Sequence, residues 1–383
     1  MVLYESVWHL ISALLVLILS LLISLNLKKT LCCTHKRIIF LFFWHLLFCA
    51  TYLVYLNSNA GDAFHYYNAS FSSEVSFSFG TRGVIFFTSI LTQIFGLSFL
   101  GCFLVFQFIG FLGLLFLDAS LRTATINNPP KVKLLSSLIV LLPSVSFWSA
   151  AIGKDAISFM AVGLALWASL NLNKRIFLMV FSILLMLMVR PHMSGLLVMG
   201  LAASFVFQKG IPLIYRLLLG TISFSVVAVL IPFALNYAGV GENVDVEQLE
   251  QYINKREGYN TEGGGGVDLS SMSLPMKLFT YMFRPLPFEA HSIASFMASL
   301  DNIVLLYLFI VGSYYLVKTR LTPELMLHNR VFMWTYLLGS WCILAMTSAN
   351  LGIAMRQKWM IAPMLIFLLI SVIGKKNSSN YEN

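Results

Sequence analysis

Arginine stands where long apolar runs end: Arg190 in MVRPHM, Arg284 in FRPLPFEAH and Arg356 in NLGIAMRQKW. A guanidinium stays ionised, presents a rigid fork of donors matched to phosphate oxygens, and is less strongly hydrated than an ammonium. Several such forks converging would hold a pyrophosphate, and a lipid-linked diphosphate is the ligand that lives at this depth. Lys154, beside Asp155 in the tight loop after FWSAAIG, is a further candidate for the same anion. Each cation also has a plainer use, as a long side chain anchored at the membrane boundary or as the partner of a local carboxylate.

Acid–base candidates accompany them. Asp62 follows an apolar run directly, with His65 and Tyr66 next on; His192 follows Pro191; Glu289 and His291 lie in FRPLPFEAHS. A carboxylate or imidazole within hydrogen-bond reach of an attacking hydroxyl can take its proton, and the order of preference is Asp62, then His192, then Glu289. Against these stand a helix cap for Asp62, an arginine partner for Glu289 and a helix-dipole partner for Asp155. The histidines lack HExxH-type spacing, so no metal or other cofactor is expected. Asp301 lies in an apolar run, where an ionisable group is either functional or paired with an arginine. Trp148 and Trp359 read as interfacial aromatics.

The elements that must position these groups are apolar. Of 383 residues 58% are hydrophobic and only 11% charged, with a mean hydropathy of +0.83, whereas soluble domains carry about 25% charged residues. A membrane-crossing helix needs about 20 mainly apolar residues, and such runs are read at 6–27, 38–57, 97–117, 134–149, 156–172, 176–189, 193–208, 212–236, 293–317, 331–348 and 359–374. The expected fold is all-α: a polytopic integral membrane helix bundle of about eleven spans. It forms one membrane domain over 1–383, with outer loops at 58–96 and 237–292. No soluble domain of useful size is expected. The net charge of +9 is accounted for by basic residues flanking spans beside anionic headgroups, so nucleic acid is not an expected partner.

The positive-inside rule orients the bundle. With the N-terminus outside and the C-terminus inside, sixteen of the twenty-five Lys and Arg fall inside. The nine outside are Arg82, Lys154, Arg190, Lys255, Arg256, Lys277, Arg284, Arg356 and Lys358, and they need another reason to be there. Glu5 precedes the first apolar run and Lys28 and Lys29 follow it, the reverse of a secretory signal, so that run is expected to stay as a span. The five cysteines read as packing residues. In loop 58–96 the apolar piece 84–95 is expected to be re-entrant, interfacial or an extra helix, broken from the next span at Gly96. In loop 237–292 a short helix is expected near 245–256, and the glycines at 263–266 read as a hinge, since a phosphate cradle would need a strand before them and a helix after.

Four segments, PSVSFWSAAIGKDA (143–156), VRPH (189–192), FRPLPFEAHSIASFMASLDN (283–302) and NLGIAMRQKWMIAPML (350–365), resemble parts of bacterial inner-membrane O-antigen or capsule polymerases of the Wzy type. The resemblance covers about a seventh of the chain. It implies metal-free transfer of a growing glycan from undecaprenyl diphosphate onto an incoming lipid-linked repeat unit, on the periplasmic face of the membrane. It further implies that Arg190, Arg284 and Arg356 hold the diphosphate; on the residues alone, Lys154 is a further candidate for that anion, and His65, Tyr66 and His291 are candidates for glycan contact. The implied partners are undecaprenyl-diphosphate-linked glycans, membrane lipid and a chain-length regulator protein. GDAFHYY (61–67) is also similar to the C-type membrane glycosyltransferases, in which such an acid positions or deprotonates the acceptor and the donor is a lipid monophosphate sugar. A reading from another class is a transporter or flippase for lipid-linked oligosaccharide.

Overall fold

The computed structural model describes residues 4–58, 61–207, 266–269, 271–290, 292–318 and 329–373, with isolated positions between 214 and 228. The expected span 212–236 lies largely outside the described residues, and the helix near 245–256, glycines 263–265 and His291 lie wholly outside them. Every named element is helical. In chain order they are α1 (Val7–Asn26), α2 (His35–Leu56), α3 (Asp62–Ala69), α4 (Thr81–Ser89), α5 (Phe99–Ala124), α6 (Pro130–Val140), α7 (Pro143–Ser149) and α8 (Lys154–Ser169). There follow α9 (Leu172–Val189), α10 (Pro191–Phe207), α11 (Leu274–Phe283), α12 (Ile293–Lys318), α13 (Arg330–Thr347), α14 (Leu351–Gln357) and α15 (Ala362–Ile370).

The helices identify the solvent they are built for. In α1 the buried residues are small, namely Ser12, Ala13, Ser20 and Ser24, while Leu14, Leu19 and Leu22 are more than half exposed. Small residues facing protein and leucines facing outward is the arrangement of a helix surrounded by lipid. Ser20 and Ser24 donate to the carbonyls of Val16 and Ser20, each at 2.6 Å, so their hydroxyls are satisfied within the helix.

Among the described residues six helices are long and apolar enough to cross a membrane: Val7–Asn26, His35–Tyr55, Phe99–Ala124, Pro130–Ser149, Leu172–Val189 and Ser295–Lys318. A pair bent by 59°, Leu351–Met360 with Ala362–Ile370, would make a seventh. This is a membrane helix bundle, and the described residues, which leave out most of the run 212–236, do not confirm the expected count of about eleven spans. The run 156–172 becomes α8, only 16 residues and about 24 Å long at 1.5 Å per residue. The run 193–208 becomes α10, of 17 residues.

The chain divides into two compact units. The first comprises Met1–Ser120, Val140–Trp167 and Phe177–Arg190. Its glycines allow close helix approach: a Cβ at Gly110 would lie 1.9 Å from the carbonyl oxygen of Ser149, and one at Gly113 2.9 Å from Met160 Cα. Helix α5 thus meets α7 and α8 nearly backbone to backbone, the small-residue contact on which membrane helices rely. In the segment 61–96, α4 runs on through a π-turn at Ile90–Ile94 and breaks from α5 at Gly96, whose φ is +60°. Cys49 and Cys102 pack in the apolar core of this unit.

The second unit comprises Leu121–Ile139, Ala168–Ile176 and Pro191–Asn383. Here α10 packs along α13. At the start of α13 buried Arg330 donates to Ser371 Oγ at 2.9 Å and to the Leu368 carbonyl at 3.1 Å. Its charge is therefore spent on the carbonyl end of α15.

Candidate functional site

In the first unit the site is built around the end of α9. Arg190 ends that helix, its N–H donating to the Met186 carbonyl at 2.7 Å, and Pro191 begins the next helix. The N-terminus of α4 closes over this end: Gly80 N–H donates to the Met188 carbonyl at 2.8 Å, and a Cβ at Gly83 would come within 2.6 Å of the same oxygen. Arg190 Nη2 donates to Asp155 Oδ1 at 2.8 Å, and both side chains keep about a tenth of their surface exposed. The Nε of Arg190 is buried with no hydrogen-bond partner. The adjacency of Lys154 and Asp155 pointed to a neutralised helix start. The observed role of Asp155 is larger, because it holds Arg190 across 35 residues of sequence while also sitting in the favourable first turn of α8.

Helix α3 brings the other candidates of this unit. Asp62 and His65 are exposed, and Tyr66 is buried in the same apolar cluster as Ile152, Ala156 and Val189. Gly153, one residue before α8, lies against the Tyr66 ring: a Cβ there would stand 3.7 Å from Cε2. Asp62 sits one turn before Tyr66, so both occupy one face of α3. Its carboxylate is in the first turn of that helix, behind Gly61, which offers no side-chain cap. Asp62, Tyr66, Lys154, Asp155 and Arg190 thus belong to elements packed on one core.

In the second unit the site is a chain of polar contacts. Arg284 ends α11, and its Nε and Nη2 reach Glu289 Oε1 at 2.8 and 2.6 Å. The other oxygen of Glu289 accepts from Leu286 N–H at 2.8 Å. Of the two uses foreseen for Glu289, arginine partner is the observed one. The Pro285 carbonyl accepts from Asn302 Nδ2 at 2.9 Å, and Asn302 Oδ1 accepts from Lys358 Nζ. Lys358 is wholly buried in a 3-10 turn, Lys358–Met360, that follows α14. Asp301 supplies an opposite charge to it, and the Trp359 ring lies 5.9 Å from its ammonium. Trp359 is therefore a buried partner of the lysine and not an interfacial aromatic: it is only 2% exposed. Tyr336 pins the turn through a 3.0 Å bond to the Met360 carbonyl. Arg356, half-buried, lies in the last turn of α14, and His192, half-buried, is the second residue of α10.

Sequence reading counted Lys358 among the outward cations without giving it a role in the site, and it passed over Asn302. The signal available was polar residues inside apolar runs, which drew attention to Asp301 but not to its neighbour. It also passed over Asp118 in α5, which binds Arg37 of α2 in a bidentate pair, with Nε at 2.9 Å and Nη2 at 2.5 Å from Oδ1.

No protein-family model, curated protein or solved structure matches this chain.

Proposed function

We propose that this protein is a glycosyltransferase of a bacterial inner membrane that polymerises oligosaccharide repeat units carried on undecaprenyl diphosphate, without a metal. In this reading about eleven spans cross the membrane, with the N-terminus periplasmic and the C-terminus cytoplasmic. The observation that carries it is Arg190. A guanidinium at a helix end is held by one carboxylate bond, with a buried donor left over, and such a donor suits a phosphate oxygen.

The chemistry follows from that placement. An acceptor sugar hydroxyl attacks the anomeric carbon of the donor, and the bond from that carbon to the diphosphate oxygen breaks. The bonding pair stays on the diphosphate, where Arg190 and Lys154 offset the growing negative charge. Asp62 takes the hydroxyl proton. Glu289 is the less suitable base, since Arg284 and the Leu286 N–H already engage both its oxygens. Supplied with defined undecaprenyl-diphosphate-linked repeats, the purified protein should yield a ladder of lengthening glycans. Single additions would make it a simple transferase of the C-type kind, and no product from a properly inserted protein would end the enzymatic reading.

One observation favours a carrier of lipid-linked oligosaccharide as the second reading. The 59° break between α14 and α15 places buried Lys358 beside a discontinuous helix, where transporters build their substrate sites. Movement of labelled lipid-linked oligosaccharide between leaflets, without chain growth, would decide for it.

A further inference from the structure

Deep in the first unit lies a polar cluster that the proposed transfer does not use. His45 of α2 is fully buried and its Nε2 lies 3.0 Å from Ser149 Oγ of α7. Ser149 spends its only hydroxyl hydrogen on the Val145 carbonyl at 2.6 Å. It can therefore only accept from the imidazole, so a neutral His45 carries its proton on Nε2 and presents Nδ1 as a bare acceptor. That Nδ1 is buried without a partner. So are both amide atoms of Gln107, a fully buried residue of α5, and the hydroxyl of Ser146, one turn before Ser149.

The packing brings these groups onto one seam. A Cβ at Gly110 would strike the Ser149 carbonyl and stand 3.2 Å from His45 Cε1, the ring carbon next to Nδ1. Gln107 is one helical turn from Gly110, on the same face of α5. The Phe111 ring, one residue past Gly110, lies 6.1 Å from the imidazole. Leaving this many donors and acceptors unsatisfied in an apolar interior is costly, because each has lost its hydrogen bonds to water, and buried polar groups are normally paired with protein or bound water. The set contains acceptors (His45 Nδ1, Gln107 Oε1), a donor (Gln107 Nε2) and a group of either kind (Ser146 Oγ). It has no carboxylate to hold a metal cation and no cationic group to hold an anion.

We propose that His45, Gln107 and Ser146 form an internal binding site for a neutral hydroxyl-bearing ligand, which accepts from Gln107 Nε2 and donates to His45 Nδ1. Water and the hydroxyl of a lipid headgroup share this chemistry. The proposal does not depend on the transferase reading, because the test measures stability and imidazole protonation, not turnover.

The test is a double-mutant cycle on the full chain by thermal unfolding, with His45→Phe, Gln107→Leu and the pair. The two side chains share no direct hydrogen bond, so a bridging ligand predicts that the paired variant loses little more Tm than the worse single variant. Drops that simply add would overturn the site. His45→Asn and Gln107→Met serve as the second pair if the first does not fold. Persistence of the coupling in lipid-free detergent assigns water, and its loss there assigns a lipid hydroxyl. Nitrogen-15 spectra of imidazole-labelled protein, with the His45→Phe spectrum subtracted, should show His45 protonated on Nε2 with Nδ1 accepting a hydrogen bond. A proton on Nδ1, or an Nδ1 with no hydrogen bond, would also overturn the proposal.

Discussion

Two arginine–carboxylate pairs in the first unit use the same groups to different ends. Arg37 grips Asp118 through Nε to both oxygens and Nη2 to one, at 2.5 to 3.1 Å, with the carboxylate 1% exposed. Arg190 makes a single 2.8 Å bond to Asp155 and keeps a buried Nε donor unpaired. In the first pair the fork is spent on its partner, as in a structural clamp between α2 and α5. In the second, charge is held in place and donors remain for something else. Arginine count and position along the chain do not separate the two; the number of fork donors already used does.

That contrast can be broken at either end. The largest effect is expected from Asp118→Ala, which leaves Arg37 without its buried carboxylate and should cost about 3–5 kcal/mol. Thermal unfolding in detergent should show a large loss of Tm and low accumulation in the membrane, and an unchanged Tm would remove the clamp from the comparison. Arg190→Ala should cut glycan extension by about 10²–10³-fold, the scale of losing a fixed charge-stabilising donor, with the Tm changed far less than in Asp118→Ala. Wild-type polymer lengths from that variant would take the diphosphate away from Arg190. Arg190→Lys sharpens the point, because it keeps the charge and loses the fork; it should restore folding fully and extension only in part. The smallest effect is expected from Glu289→Gln in the second unit. Its pair with Arg284 is a fifth to a quarter exposed, so the loss should be at most about 1 kcal/mol, and a collapse of folding there would show that exposure misjudges that pair.

Legibility of the site followed the range of the interaction. Glu289 lies five residues from Arg284 and the two meet, so the motif FRPLPFEAH already contained that pair. Lys154 and Asp155 were legible as a helix start for the same local reason. The apolar piece after 84 was legible as a separate segment broken at Gly96, since a single span could not extend over 84–117. Eleven apolar runs meet six or seven spanning helices among the described residues, because hydropathy measures how apolar a window is and not where the helix breaks. Trp359 was misread for a related reason: an aromatic at the edge of an apolar run looks the same whether it faces headgroups or lies under a buried lysine.

Composition and hydropathy were sufficient to establish a helical membrane protein with cations at the ends of its apolar runs, because burial in lipid is a demand that each segment meets by itself. Which cation meets which carboxylate was settled only in three dimensions. Arg37 and Asp118 are 81 residues apart, Arg190 and Asp155 35, and Lys358 and Asn302 56. Pairs at such separations depend on the rotation and register of one helix against another, which side-chain packing and close glycine contacts set and no window of sequence contains.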